Sequence, residues 1–245
     1  MAVDEPHLET IVARIRHDFE VDAVLGAPQV AYRETIASAV EVQYTHSKHL
    51  GPVWQFASVK LRLSPLPSGS GFVFANSSEG EVPEEYMPGV ERGLRTSVET
   101  GPLAGFPMID LRAELIGGAY HDVDSSVVAF EIAARKAFEE GITKASPRLL
   151  EPIMLVEVKT PEWCLGEIIG DLHLRRAVVI DMQSSDDERT CGAIVPLANM
   201  FGYAGSLRSI SRGLAEFRMR FDKYEIVPPI VDPPDDFPPA VGMRP

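Results

Sequence analysis

Cysteine is nearly absent from this 245-residue chain, and lysine and arginine are scarce beside the acids. The two cysteines, Cys164 and Cys191, form no CxxC pair, which argues against a disulfide framework and points to a reducing compartment. Basic residues number 23 against 36 acidic ones, for a formal net charge of −13. Such a surface cannot hold nucleic acid by bulk counterion release, so no DNA partner is expected and any RNA contact must be local. No uninterrupted apolar run approaches the roughly 20 residues that span a bilayer, which excludes a membrane helix. The opening MAVDEPHLET lacks a basic n-region and an apolar h-region, so no signal peptide is expected and the expected location is cytoplasmic. Nucleotide signatures are missing too: there is no GxxxxGK[ST] loop and no NKxD. A phosphate cradle needs consecutive backbone N–H groups on a glycine-rich turn and a lysine for the outer phosphates. GTP is therefore not expected to bind this chain, no cofactor or catalytic residue is assigned, and the chain reads as no enzyme.

What is present is a globular composition, 45% hydrophobic, with apolar mass for one to three cores. His7 to Phe19 places Leu8, Ile11, Val12, Ile15 and Phe19 at helical spacing. Val21–Leu25 and Gln29–Ile36 read as short strands, and Val40 to Leu63 as a hairpin broken at Gly51-Pro52. Residues 83–99 predict a helix opened by Pro83. Met108–Ile116 reads as a strand ending at Gly117-Gly118. Residues 125–140 form the clearest helix, with Asp124 or Ser125 as cap and Gly141 at its end.

Beyond Ser146-Pro147 the order is strand (Ile153–Val158), helix capped by Thr160 and running to about Leu174, strands Ala177–Gln183 and Arg189–Val195, helix Pro196–Ser209, and strand Gly213–Tyr224. That β-α-β-β-α-β order is the ferredoxin-like split βαβ unit, and it places a boundary near residue 148. The last 18 residues hold 7 of the 20 prolines and read as an extended or disordered tail.

Several side chains invite chemistry. Asp122 and Asp124 form a DxD pair that can hold Mg²⁺ with His121, although two such carboxylates before a helix more often serve as turn and cap. His46 and His49 lie three apart but lack third and fourth zinc ligands nearby, so no metal site is assigned. Cys164 reads as a core thiol. Arg175, Arg176, Arg208 and Arg212 are the strongest basic spots. Ion pairing within their own domain and contact with RNA are both open to them.

Three stretches resemble the C-terminal part of the elongation factor G family of ribosomal translocases. They are His7-Leu8-Glu9 through Pro28-Gln29-Val30-Ala31-Tyr32-Arg33-Glu34-Thr35; Gly105-Phe106-Pro107 through Tyr120-His121-Asp122-Val123-Asp124-Ser125-Ser126; and Leu149-Leu150-Glu151-Pro152 with Gly166–Arg176 and Phe201–Ser209. The resemblance implies an α+β chain with these parts: a partial third-domain segment (1–36), a βαβ-type fourth domain (37–148) of the ribosomal protein S5 domain 2-like kind, a ferredoxin-like fifth domain (149–227), and the proline-rich tail (228–245). The family's GTPase domain has no counterpart in it. Half of a third domain cannot bury its own apolar face, so residues 1–36 are expected to dock on the fourth domain, pair in a homodimer, or complete a separate GTPase-bearing chain.

The resemblance also implies a partner, the ribosome, with a tRNA-like shape entering the A site. The family's fourth-domain tip loop meets the tRNA–mRNA duplex, and the matching residues are Gly117, Gly118, Tyr120, His121, Asp122, Asp124 and Ser125. The glycines would let the backbone approach RNA, and His121 would stack or donate to a 2′-OH. The second tip loop of the family has the form KKQSGGRGQ. The corresponding stretch here, Tyr44–Gln55, keeps His46, Lys48 and His49 but lacks the arginine and the double glycine. Arg175, Arg176, Arg208 and Arg212 would face ribosomal RNA. The alternatives are a non-ribosomal interaction module and a factor of the ribosomal-protection type.

Overall fold

The computed structural model describes residues 5–21, 29–50, 53–184 and 188–228. The chain divides into two units, one built on residues 32–150 with the strand end at 224–228, the other on the N-terminal helix and residues 151–223.

In the first unit a four-stranded sheet runs in the order β2-β3-β5-β4, with β2 Val40–Leu50, β3 Val53–Pro65, β4 Phe72–Asn76 and β5 Leu111–Ala119. β3 runs antiparallel to both β2 and β5, and β4 joins β5 in parallel. Alternation decides the faces. Ala57, Val59, Leu61 and Leu63 of β3 and Leu111, Ala113 and Leu115 of β5 are fully buried, while the residues between them turn to the other face. On that outer face Arg62 binds Glu41 at 2.8 Å and Glu114 at 3.3 Å.

Two helices cover the inner face, α2 Met87–Ser97 and α3 Val127–Lys144. They approach closely because α2 turns two glycines toward α3. A Cβ at Gly89 would lie 2.2 Å from the Val127 carbonyl oxygen, and one at Gly93 would lie 2.5 Å from that of Glu131.

β1 (Arg33–Ile36) pairs antiparallel with residues 147–150, the start of β6 (Pro147–Pro161). Glu34 is fully buried, and its carboxylate accepts backbone N–H groups from Leu103, Ala104 and Phe106 at 2.9, 2.9 and 3.1 Å. Its backbone is tied as well, to Pro107 and Ile109. Residues 33–36 thus group with the strands that follow them.

In the second unit β6 is flanked by β8 (Glu188–Pro196) and β9 (Glu216–Ile226), and β8 pairs onward with β7 (Val178–Ser184). The order β9-β6-β8-β7 is the ferredoxin-like arrangement. Helices α4 (Leu165–Leu174) and α5 (Tyr203–Ser211) share one core with the sheet, through Ile168, Leu172, Tyr203 and Leu207 against Val156, Val158, Ala193 and Val195. Cys164 and Cys191 are free thiols buried in that core, and burial raises the Cys191 thiol above its usual 9.0. The N-terminal helix α1 (Glu5–Phe19) leaves Ile11 and Phe19 exposed.

The α+β class is as expected, and the local differences have physical causes. β4 was not anticipated: its five residues, Phe72–Asn76, carry little pattern, and their parallel pairing depends on a distant strand. α3 is capped by Ser126, whose hydroxyl accepts the Ala129 N–H at 3.1 Å, rather than by Asp124 or Ser125. It does not end at Gly141, which lies inside the helix where a Cβ would meet Leu63 at 2.6 Å. Thr160 does not cap α4: its hydroxyl lies 2.9 Å from Cys164 Sγ, and a short 3₁₀ turn at Glu162–Cys164 precedes the helix. Of the expected strands near residues 21–36, only Arg33–Ile36 forms within the described residues; residues 22–28 and 229–245, with the tail reading, lie outside them.

Candidate nucleic-acid interface

One end of the first unit collects the tip residues. β2 and β3 continue as a long hairpin in which His46 stands opposite Ala57, Lys48 opposite Gln55 and His49 opposite Trp54. The second tip segment is therefore extended ladder rather than loop over these residues. His46 is only 4% exposed, and its Nε2 lies 3.2 Å from Gln55 Oε1, so it is committed inward. Lys48 and His49 are exposed.

Gly117 and Gly118 are strand residues too, paired with Lys60 and Val59. A Cβ on Gly118 would come within 2.4 Å of the Ser58 carbonyl oxygen and 2.6 Å of Val82 Cγ2, and one on Gly117 within 2.6 Å of the Glu81 carboxylate. At Gly118 the absence of a side chain serves close packing inside the unit. These two residues leave the tip loop, which begins at Tyr120.

Loop 120–126 is anchored to the hairpin. The Phe56 N–H donates to the Asp124 carbonyl at 3.0 Å, and the Ser125 hydroxyl donates to the Phe56 carbonyl at 2.7 Å. Ser125 Oγ also accepts the His121 N–H at 2.9 Å, and the Ser125 N–H returns to the His121 carbonyl at 3.0 Å. His121 Nδ1 lies 3.0 Å from Asp124 Oδ2 and 3.4 Å from the Val123 backbone nitrogen. One ring nitrogen cannot donate and accept together. The shorter contact, to a carboxylate, puts the proton on Nδ1, leaving Nε2 without a partner among the described residues. Tyr120 is exposed and sits 6.2 Å from the Tyr86 ring, which stacks on Phe130 at 4.8 Å. Burial, with Glu85 beside it, raises the Tyr86 hydroxyl above its usual 10.0. Asp122 stays exposed.

The structure thus brings Lys48, His49, Tyr120, His121, Asp122, Asp124 and Ser125 to one end and turns His46 inward. Within those same stretches it singles out two residues not assigned a role from the sequence: Trp54, 42% exposed at the hairpin end, and Val123, 83% exposed in the loop. An aromatic at the register position opposite His49 was the available signal for Trp54.

The arginines of the second unit divide. Arg175 is spent internally: it binds Asp171 at 2.9 Å, donates to the carbonyls of Asn199 and Phe201 and to the Ser206 hydroxyl, and lies over the Tyr203 ring. Arg176 binds the buried Glu151 at 2.8 Å. Both are structural ion pairs rather than free RNA-facing cations. Arg208 and Arg212 are exposed, the latter over the Trp163 ring at 5.6 Å.

A mixed-sheet unit with an anchored polar and aromatic tip, followed by a ferredoxin-like unit, is the plan of the C-terminal portion of a translation factor. The chain belongs to the elongation factor G family: the model for elongation factor G, domain IV matches residues 28–146, and that for the elongation factor G C-terminus matches residues 148–232. It is 54% identical over 225 residues to elongation factor G of Paracoccus denitrificans and 52% identical to that of Anaplasma phagocytophilum, in each case over 91% of this chain. It spans about a third of the length of these relatives, 32% and 33%. A crystal structure from Thermus thermophilus superposes with a TM-score of 0.83 at 35% identity, covering 92% of this chain and 34% of that one. The GTPase domain of the family lies outside both matched regions. No described helix is long and apolar enough to cross a membrane.

Proposed function

We propose that this chain is the ribosome-binding part of a translocase-type factor, with residues 28–146 acting as domain IV, 148–227 as domain V and the segment before residue 28 as the end of a third domain. In this reading the tip at Lys48, His49 and residues 120–125 enters the ribosomal A site and meets the tRNA–mRNA duplex. The observation that carries it is the anchoring of loop 120–126 to Phe56, which presents His121 Nε2, without a partner among the described residues, beside the hairpin end. The chain has no nucleotide motif, so its role is to bind and not to hydrolyse GTP. Exposed Ile11 and Phe19 on α1 fit association of that segment with a GTPase-bearing chain or a second copy.

Sedimentation of the purified chain with 70S ribosomes at low and moderate salt tests the reading. Co-sedimentation that weakens on His121→Ala supports it, and no co-sedimentation at either salt sinks it. Binding that survives His121→Ala but is lost when Arg208 and Arg212 are both replaced by alanine moves the contact to the second unit, where both guanidinium groups are exposed.

A further inference from the structure

The hairpin end has the chemistry of a stacking surface rather than of a phosphate clamp. Its rings are Trp54 and His49, directly opposed across the β2–β3 ladder, with centroids 4.1 Å apart and planes at 68°. An edge-to-face pair of this kind braces the indole without covering it as a parallel stack would, and 42% of Trp54 remains exposed. Trp54 lies two residues along β3 from Phe56, the point where loop 120–126 is fastened, so the indole sits on backbone held from both sides. Permanent positive charge here is sparse: Lys48 is the lone lysine or arginine among residues 44–49, 54–56 and 120–126, while Asp122 and Asp124 are negative. Phosphate contacts cannot supply much affinity from such a set. A partly exposed indole braced by an imidazole, with one lysine on the same hairpin, suits the flat face of a base, which every unpaired nucleotide offers whatever its sequence.

We infer that Trp54, braced by His49, is a stacking platform for an unpaired nucleobase of RNA, and that this contact stands in for the phosphate contacts an arginine-bearing tip would make. The inference rests on the ribosome reading above and says which chemistry of the partner the tip engages.

Trp54 is one of two tryptophans, so replacing Trp163 by Phe leaves it as the sole indole reporter. In that background, ribosomes or a single-stranded oligoribonucleotide are expected to quench the emission, and a fully paired duplex of the same length is not. Trp54→Ala is expected to weaken ribosome binding about tenfold, within the range of one base–aromatic stack, at each salt concentration, so that the salt slope stays unchanged. Trp54→Phe is expected to restore most of the loss, and melting curves of the variants are expected to match the parent because the ring is at the hairpin end. Ribosome binding by the parent with undiminished binding by Trp54→Ala overturns the stack and leaves the ribosome reading standing. A loss accompanied by a shallower salt slope, or Trp54 emission unchanged by bound ribosomes, also overturns the stack, the second pointing to a different contact. A parent chain that does not bind ribosomes at any salt overturns both.

Discussion

Gly117 and Gly118 differ in what an added methyl group would strike. At Gly118 it meets the Ser58 backbone, which cannot move without disturbing the ladder, and the buried Val82 side chain, whereas at Gly117 it meets the end of the Glu81 side chain, which can swing away. Gly118→Ala should therefore cost about 1–3 kcal/mol, the usual range for overpacking, and Gly117→Ala much less; chemical denaturation compares the two. Glu114 gives a second residue-level expectation. The Ser77 hydroxyl, with Arg112 and Arg62, lowers its carboxyl below the ordinary 4.5. A lowered folded-state value stabilises the fold fully above the unfolded value, and the contribution disappears as pH falls through the folded one. The stability gap between the parent and Glu114→Gln should then be constant near neutrality and close below about pH 4.5, as read from urea midpoints across that range. Cys164 and Cys191 should ignore a thiol reagent in the native state and react, both of them, after unfolding, because burial denies access and keeps Cys191 protonated.

Among the elements, β1 and the loop at 101–107 depend on one another through Glu34. Its carboxylate satisfies three backbone donors, so Glu34→Ala should cost at least about 2 kcal/mol and Glu34→Gln less, since an amide keeps one acceptor oxygen. Thermal melts of both variants rank them. This link also marks the limit of what could be read in advance. The hairpin of β2 and β3 around Gly51-Pro52 and the capped helix α3 rest on local signals, and they were legible. The α2–α3 contact, the parallel strand β4 and the partners of Glu34 join residues far apart in sequence, and no local pattern carries them. The site behaved likewise. Loop 120–126 was visible as polar residues before a helix, but the inward turn of His46 and the internal duties of Arg175 and Arg176 depend on Gln55, Asp171, Asn199 and Glu151.

For the whole molecule, a net charge of −13 sets the electrostatics of any encounter with RNA. With one lysine at the tip, the dependence of ribosome binding on salt should be shallow, a log–log slope of about −1 to −2, since each phosphate neutralised adds somewhat less than one. Sedimentation across a salt series measures it. Two separate apolar cores, one per unit, also predict that a destabilising change in one, such as Gly118→Ala, leaves the hydrogen-exchange protection of the other largely intact. The Ser125 fastening to Phe56 has a further consequence for recognition. A loop already held in one conformation loses little chain entropy when it docks, so the ordering cost falls on folding and not on binding. Replacing Ser125 by alanine should therefore weaken ribosome binding by making the free loop more disordered, even though the hydroxyl, turned toward the hairpin backbone, need not touch RNA at all.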